Sequence, residues 1–197
     1  MVAKANDAEL RRRVLVMALD RIRRPPSLTK ILAAKGLKSC TIRENPYLAP
    51  GNAPYENFIE SLLATTDARE KLFEVLLESA GDKADETAFN SLQKQGVGTV
   101  FHGTNHAFME NILNTGLDPK RRSPHLSEDY FGIDHSTSLR YTQSRTTCIP
   151  APPNWKLLVF MIIVQPFALV PYSGAVTVAS NKLQLPLAEI TLDTEFI

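Results

Sequence analysis

Val100-Phe101-His102-Gly103-Thr104 is an apolar run that ends on a histidine, a glycine and a small hydroxyl residue. The run predicts a buried strand over residues 98–101, with His102 just beyond its end. Because Gly103 has no side chain, the backbone there is open to a ligand, and the imidazole beside it offers a polar contact. Taken alone, the motif fits a packed strand end better than a binding site. The residues that follow it change that balance.

Three further motifs come after this strand in a fixed order. A helix predicted to start at His106 ends on the sequence Ile-Leu-Asn-Thr-Gly-Leu at residues 112–117. Tyr130-Phe131 predicts another strand, and residues 136–141, Ser-Thr-Ser-Leu-Arg-Tyr, begin another helix. In order and spacing, the four motifs resemble those of the ADP-ribosyltransferase superfamily, in its poly(ADP-ribose) polymerase-like branch. The resemblance covers about half of the chain, from residue 96 to the end.

The resemblance implies an α+β fold with a split antiparallel β-sheet. Residues 96–197 would form this ADP-ribosyltransferase-like domain, and residues 1–95 a helical region packed against it. The apolar patterns of the second half independently predict mostly strands, at residues 98–101, 130–133, 155–164, 175–179 and 187–192. Helices are predicted there only at residues 106–114 and 136–143.

The first half of the chain has the apolar spacing of helices. The first predicted helix, over residues 8–24, stops before Pro25-Pro26, and Ser27 can then cap a second one. Including that second helix, the pattern predicts helices at residues 8–24, 28–35, 55–64, 68–80 and 84–94.

The family resemblance also assigns a binding site for NAD, which is consumed as a substrate. The cofactor-binding residues implied are His102, Gly103, Thr104, Tyr130, Phe131, Ser138 and Tyr141. By resemblance, His102 binds the adenosine ribose, while the Gly103 backbone and the Ser138 hydroxyl hold the nicotinamide amide. Tyr141 would stack on the nicotinamide ring and Tyr130 would close the other wall. The alternative for both tyrosines is core packing.

The family's catalytic glutamate is missing from its expected place. It lies at the head of a late strand that precedes a proline-containing strand, and this chain has Ala175 there. Alanine cannot bind a ribose hydroxyl or stabilise an oxocarbenium-like transition state, so synthesis of long poly(ADP-ribose) chains is not expected. Glu189 is a nearby carboxylate and completes the candidate catalytic set with His102 and Tyr130. An outward-facing position in its strand is the simpler interpretation of Glu189.

Three functions remain open from the sequence. The first is transfer of a single ADP-ribose unit from NAD to a protein or nucleic-acid acceptor. The second is an enzyme of the same fold that acts on a tRNA 3′ end, because the related RNA 2′-phosphotransferases also carry His-Gly-Thr and a later His-Leu-Ser, here at His125. Ser123 replaces another histidine of that pattern, which argues against phosphate transfer itself. The third is an inactive module that binds NAD, ADP-ribose or a protein.

An excess of basic residues near the start of the chain bears on the tRNA hypothesis. Six arginines of the first predicted helix would contact phosphates if RNA binds there: Arg11, Arg12, Arg13, Arg21, Arg23 and Arg24. A basic cluster of this kind is typical of nucleic-acid binding, but it is equally typical of a solvated helix face.

Composition places the chain among ordinary globular proteins, with 197 residues, 44% hydrophobic and 22% charged. The longest apolar run, residues 157–164, is too short to span a bilayer, so no membrane association is expected. The start has no apolar signal segment, and the two cysteines, Cys40 and Cys148, lack metal-ligand spacing. We therefore expect reduced thiols, no metal site and a cytoplasmic or nuclear location.

Overall fold

The computed structural model describes residues 2–64, 97–122, 127–139, 155–163, 169–170 and 174–192. Its helices are α1 (Val2–Ile22), α2 (Pro25–Ala34), α3 (Ala53–Ala64), α4 (His106–Thr115) and α5 (His135–Leu139). Its strands are β1 (Cys40–Glu44), β2 (Val97–His102), β3 (Asp129–Gly132), β4 (Trp155–Ile163), β5 (Leu169–Val170), β6 (Ala175–Val178) and β7 (Gln184–Leu192). Short 3₁₀ helices lie at Pro119–Arg121 and Asn181–Leu183.

The seven strands form one antiparallel sheet in the order β1-β7-β4-β2-β3-β6-β5. β2 and β4 pair along the whole of β2, from Val97 opposite Ile163 to His102 opposite Leu158. β2 and β3, by contrast, pair only where Phe101 lies opposite Gly132. The sheet is therefore divided into β1-β7-β4-β2 and β3-β6-β5, which meet at a single pair of residues. The predicted α+β class with an antiparallel sheet is confirmed.

A buried hydroxyl joins the two parts of the sheet at this meeting point. The Oγ of Ser138, on α5, donates a hydrogen bond of 2.8 Å to the carbonyl of Phe101 and accepts one of 3.1 Å from the amide of Gly132. A Cβ at Gly132 would overlap the Ser138 hydroxyl and would lie 2.6 Å from the carbonyl of Asp134. Only glycine therefore lets the hydroxyl sit between the strands.

The sheet separates two apolar cores. Helices α1, α2 and α3 pack on one face, where Leu19, Leu32, Phe58 and Phe101 are fully buried or nearly so. Helix α4 packs on the other face, over a cluster that contains Leu113, Phe131 and Phe160. Because successive residues of a strand point to opposite faces, Phe101 belongs to the first core and the next residue, His102, lies on the side of α4.

A buried asparagine fixes the position of α4 on the sheet. Asn45, which follows β1, donates from Nδ2 to the carbonyls of Leu113 and Pro186 at 2.7 and 2.8 Å. Its Oδ1 accepts from the amide of Tyr47, so every polar atom of this fully buried amide has a partner. The end of α4 is thereby tied to β7.

The structure differs from the sequence prediction at several places. Helix α1 spans Val2–Ile22 where residues 8–24 were predicted, and β5 was not predicted. β1 was not predicted; it pairs with β7 over its whole length, so residues 1–95 contribute a strand to the sheet as well as helices. Helix α2 begins at Pro25 and not at residue 28, because proline is well accommodated in a first helical turn. β7 begins at Gln184 and passes through Pro186, where a bulge between Val159 and Phe160 of β4 shifts the register.

Other predicted elements lie outside the described residues. These are the helices at residues 68–80 and 84–94, the proposed domain boundary at residue 95, and the second half of the helix at 136–143. Within the described ranges, no helix combines the length and the apolarity that a bilayer span requires.

Replacing Ser138 by alanine tests the bridge between the two parts of the sheet. The change removes the partner of a buried carbonyl and of a buried amide, so we expect Ser138→Ala to lower the free energy of unfolding by about 1–3 kcal/mol. Chemical denaturation measures this. The matched control is Ser136→Ala in the same helix. The hydroxyl of Ser136 is exposed and bonds to Asp134, so its removal should lower the free energy of unfolding by only about 0.5 kcal/mol. Equal losses in the two variants would contradict the bridging role.

Candidate active-site cleft

A cleft of about 790 Å³ opens at the division of the sheet, on the side of α4. Its walls come from the end of β2, the outer face of α4, the 3₁₀ helix at Pro119–Arg121, and β3 with the start of β6. Six of the predicted cofactor-binding residues line it: His102, Gly103, Thr104, Tyr130, Phe131 and Ser138. Ala175, at the position expected for the catalytic glutamate, lines it as well.

His102 is held as a neutral imidazole. Its Nδ1 lies 3.1 Å from the carbonyl of Tyr130, and since a carbonyl only accepts, Nδ1 carries the proton and donates it. The ring packs against those of Phe131 and Phe160, at centroid distances of 5.6 and 6.0 Å. Burial lowers the pKa of His102, and the bond to Tyr130 and the charge of Asp129 only partly oppose this. Nε2 is therefore left as a hydrogen-bond acceptor, which suits a sugar hydroxyl.

Two aromatic side chains stand partly uncovered in the cleft wall. Tyr130 is 40% exposed and Phe108, from α4, is 45% exposed, although both line the cavity. Aromatic rings with a free face in a cleft can stack on a planar ligand such as nicotinamide or a purine. The predicted partner wall, Tyr141, lies outside the described residues, so its place in the cleft stays a prediction.

Ser138 lines the cleft, but its proton is already used. The hydroxyl has one proton, and it is donated to the carbonyl of Phe101. The resemblance implied that this proton goes to the nicotinamide amide. In the structure the hydroxyl instead bridges the two parts of the sheet, and its remaining capacity toward a ligand is as an acceptor.

Charges in the cleft wall are mostly neutralised within the wall itself. Asp129, the first residue of β3, accepts two bonds from Arg122, at 3.0 and 2.6 Å, and one of 2.6 Å from Nε2 of Gln184. Asp118 accepts from the amide of Lys120 and so caps the 3₁₀ helix. These carboxylates therefore position the loop that carries Arg122, and neither stands at Ala175.

Glu189 does not take part in the cleft. It is buried, and its carboxylate accepts from Lys156 at 2.7 Å and from Arg43 at 2.9 Å. Burial alone raises the pKa of Glu189, but the bonds from Lys156 and Arg43 outweigh it, and the pKa lies below its usual value. The predicted catalytic role is therefore not supported by its position. The outward-facing interpretation is wrong because the side chain is only 7% exposed and is bound by Arg43 of β1 and Lys156 of β4.

The predicted RNA-binding arginines are largely engaged in ion pairs. Arg12 pairs with Glu56 of α3, and Arg13 with Glu9 at 3.1 Å. Arg23 and Arg24 both pair with Asp20, each at 2.7 Å, so two positive charges share one carboxylate. This arrangement agrees better with a helix face stabilised by its own charges than with a phosphate-binding surface. The other tRNA motif residues, Ser123 and His125, lie outside the described ranges.

Sequence reasoning missed part of the cleft wall. Phe108 and Arg121 lie on different elements, and the Arg121 guanidinium is 5.1 Å from the centroid of the Phe108 ring. The pairing of Asp129 with Gln184 joins residues 55 positions apart. The only sequence signal was the position of Phe108 near the start of the predicted helix that follows the His-Gly-Thr motif. Neither pairing has a local pattern that could reveal it.

Comparison with known proteins gives no family assignment: no family model matches the chain, and no curated protein matches it significantly. Among the described residues there is also no group of three His, Cys, Asp or Glu placed to hold a metal ion. The functional argument therefore depends on the geometry of the cleft.

The lowered pKa of His102 predicts a pH dependence of stability. In the unfolded chain this histidine has a pKa of about 6.5 and binds a proton more readily than in the folded protein. As the pH falls from about 7.5 to about 5, the unfolded state gains the proton first, so the free energy of unfolding should fall. In the His102→Gln variant, the part of this fall that is due to protonation of the histidine should be absent. Denaturant unfolding at several pH values measures the free energy of unfolding. If it depends on pH as steeply in the variant as in the wild type, other titratable groups cause the dependence.

Proposed function

We propose that the cleft binds NAD and that the protein transfers a single ADP-ribose unit from it to an acceptor. The observation that carries this proposal is the convergence, at the division of an antiparallel sheet, of His102, Gly103, Tyr130 and Ser138 in one cleft. These residues come from separate elements, and the ADP-ribosyltransferase fold is part of the same proposal.

The chemistry of the wall suits the two ends of this substrate. Nicotinamide is a neutral planar leaving group, and the exposed ring of Tyr130 offers it a stacking surface. The open backbone at Gly103 lies next to His102, where a carboxamide can bond to main-chain groups. The Nε2 of the neutral His102 imidazole can accept a hydrogen bond from a hydroxyl of the adenosine ribose, as the family resemblance implies.

The reaction needs one bond broken and one formed. The bond between nicotinamide nitrogen and the ribose C1′ breaks, and nicotinamide leaves with the electron pair. An acceptor nucleophile then bonds to C1′ and loses its proton to solvent or to a base of the acceptor. With Ala175 in the wall, this protein supplies no carboxylate at that position to activate the ribose hydroxyl of a growing chain. A single transfer is therefore the expected product.

A second candidate is an NAD- or ADP-ribose-binding module without turnover. The observation that favours it is again Ala175, together with the engagement of Asp129 and Glu189 in ion pairs within the protein. The two candidates differ in turnover, and the module can also take ADP-ribose as its ligand in place of NAD.

Calorimetry with NAD and a gel assay with labelled NAD separate the two candidates. We expect NAD to bind, and His102→Ala to weaken binding by about 1–3 kcal/mol, because a buried polar contact is lost. On the gel we expect single-unit labelling and no polymer. Binding without labelling would favour the module. Failure of NAD to bind, or long chains on the gel, would overturn the proposal.

Restoring the missing carboxylate tests the role of residue 175. Ala175 is half-buried at the start of β6 and lines the cleft, so a glutamate there should reach the ribose of bound NAD. We expect Ala175→Glu to raise the rate of nicotinamide release by at least about 10-fold, a small part of what one positioned acid–base group contributes. Ala175→Gln, equal in size but uncharged, is the matched control and should not raise it. If neither variant changes the rate while both bind NAD, residue 175 is not at the reacting centre.

A further inference from the structure

A lysine reaches both parts of the sheet on the face opposite the cleft. Lys35 directly follows α2, and its Nζ donates a hydrogen bond of 3.1 Å to the carbonyl of Ile133. The same ammonium lies 6.0 Å from the centroid of the Phe101 ring, which belongs to the core under helices α1 to α3. Phe101 is part of β2, and Ile133 is the residue after β3. The Lys35 side chain therefore contacts the two parts of the sheet where they separate.

The ammonium of Lys35 is held by this contact and not by an ion pair. The residue is half-buried, and no carboxylate of the described residues lies within ion-pair distance of its Nζ. Burial lowers the pKa of Lys35, and the charge of Asp134, beyond that distance, opposes this only in part. Because it costs free energy to bury an ammonium, the carbonyl dipole of Ile133 and the face of the Phe101 ring are what stabilise it there.

Ile133 connects Lys35 to the wall of the cleft. Its amide donates a hydrogen bond of 2.9 Å to the carbonyl of Gly174, the residue before Ala175. Gly132 and Ala175, which flank this bonded pair in the chain, both line the cleft. Gly174 has a φ of 63°, and a Cβ there would lie 3.0 Å from the hydroxyl oxygen of Thr137. The wall is therefore closely packed at this point, and a movement of the Ile133 carbonyl would move Gly132 and Ala175 with it.

We propose that Lys35 is a positioning residue for the cleft, whose bond to Ile133 fixes β3 and the start of β6 relative to β2. Ser138 joins the same two parts of the sheet from within, and Lys35 adds a second link that comes from α2. The helical region thereby takes part in setting the width of the cleft. The link itself does not depend on the proposed function, whereas its effect on catalysis rests on it, because reacting groups must be held in a precise geometry.

Amide hydrogen exchange of the full chain, followed by NMR, tests the link with three variants. Lys35→Met keeps an apolar stem but removes the ammonium, so the amide of Ile133 should exchange at least about 5-fold faster, as expected for loss of one hydrogen bond that orders this segment. The amides of β2 that pair with β4 should keep their wild-type rates. Lys35→Arg retains the charge and the donors and should restore slow exchange at Ile133. Lys38→Met removes an exposed lysine nearby and is the matched control, which should change neither set of amides.

Release of nicotinamide from NAD measures the effect on the proposed reaction. Misalignment of the wall should lower kcat of Lys35→Met by about 10-fold and leave KM for NAD within about twofold, and Lys35→Arg should recover most of the loss. The Lys38→Met control should react at the wild-type rate.

Four results would overturn the positioning role of Lys35. They are wild-type exchange at Ile133 in Lys35→Met, an equal rise in exchange at all amides, no recovery in Lys35→Arg, and an unchanged kcat in Lys35→Met when the wild type is active. An equal rise at all amides would mean that Lys35 contributes only to global stability. If exchange behaves as expected but the wild-type protein neither binds nor cleaves NAD, the link stands and the proposed transferase function falls.

Discussion

The hydroxyl of Ser138 is the contact on which the rest of the architecture depends. It bonds to the carbonyl of Phe101 and to the amide of Gly132, the one pair of residues at which β2 and β3 pair in the described ranges. A continuous ladder would bring β2 and β3 together and close the space between them. The small, buried hydroxyl satisfies the carbonyl of Phe101 and the amide of Gly132. His102, the residue after Phe101 in β2, lies on the side of the sheet where the cleft opens. The cleft is a direct consequence of this divided pairing.

Electrostatics in and around the cleft follow a single pattern. Acidic side chains that are buried, such as Asp129 and Glu189, are each held by two cationic or amide groups from other elements. Burial would otherwise make these charges costly, so they act as fixed structural links and not as reactive groups. The imidazole of His102, by contrast, carries no ion pair in the described part of the chain and lines the cleft together with the hydroxyl residues Thr104 and Thr137. A site of this kind fits a ligand bound by stacking and hydrogen bonds.

The sequence motifs name residues that line the cleft, whereas the contacts around these residues have no sequence signal. His102, Gly103, Tyr130, Phe131 and Ser138 could be predicted because they belong to short motifs on predicted strands and helices. The use of the Ser138 proton could not, since it depends on how two strands approach each other. β1 was missed because it has five residues, of which only Cys40 and Ile42 are apolar, so its alternation is too short to indicate a strand. The burial of Glu189 depends on Arg43 and Lys156, which are 146 and 33 residues away.

The central claim is that the division of the sheet is the binding site for NAD. The most direct measurement is a titration of ¹⁵N-labelled protein with NAD, followed by the backbone amide resonances. The account predicts that the largest shifts occur at Gly103, Gly132 and the amides of β3 that line the cleft, with little change in α1. Shifts confined to the arginine-bearing face of α1, or no shifts at millimolar NAD, would contradict it.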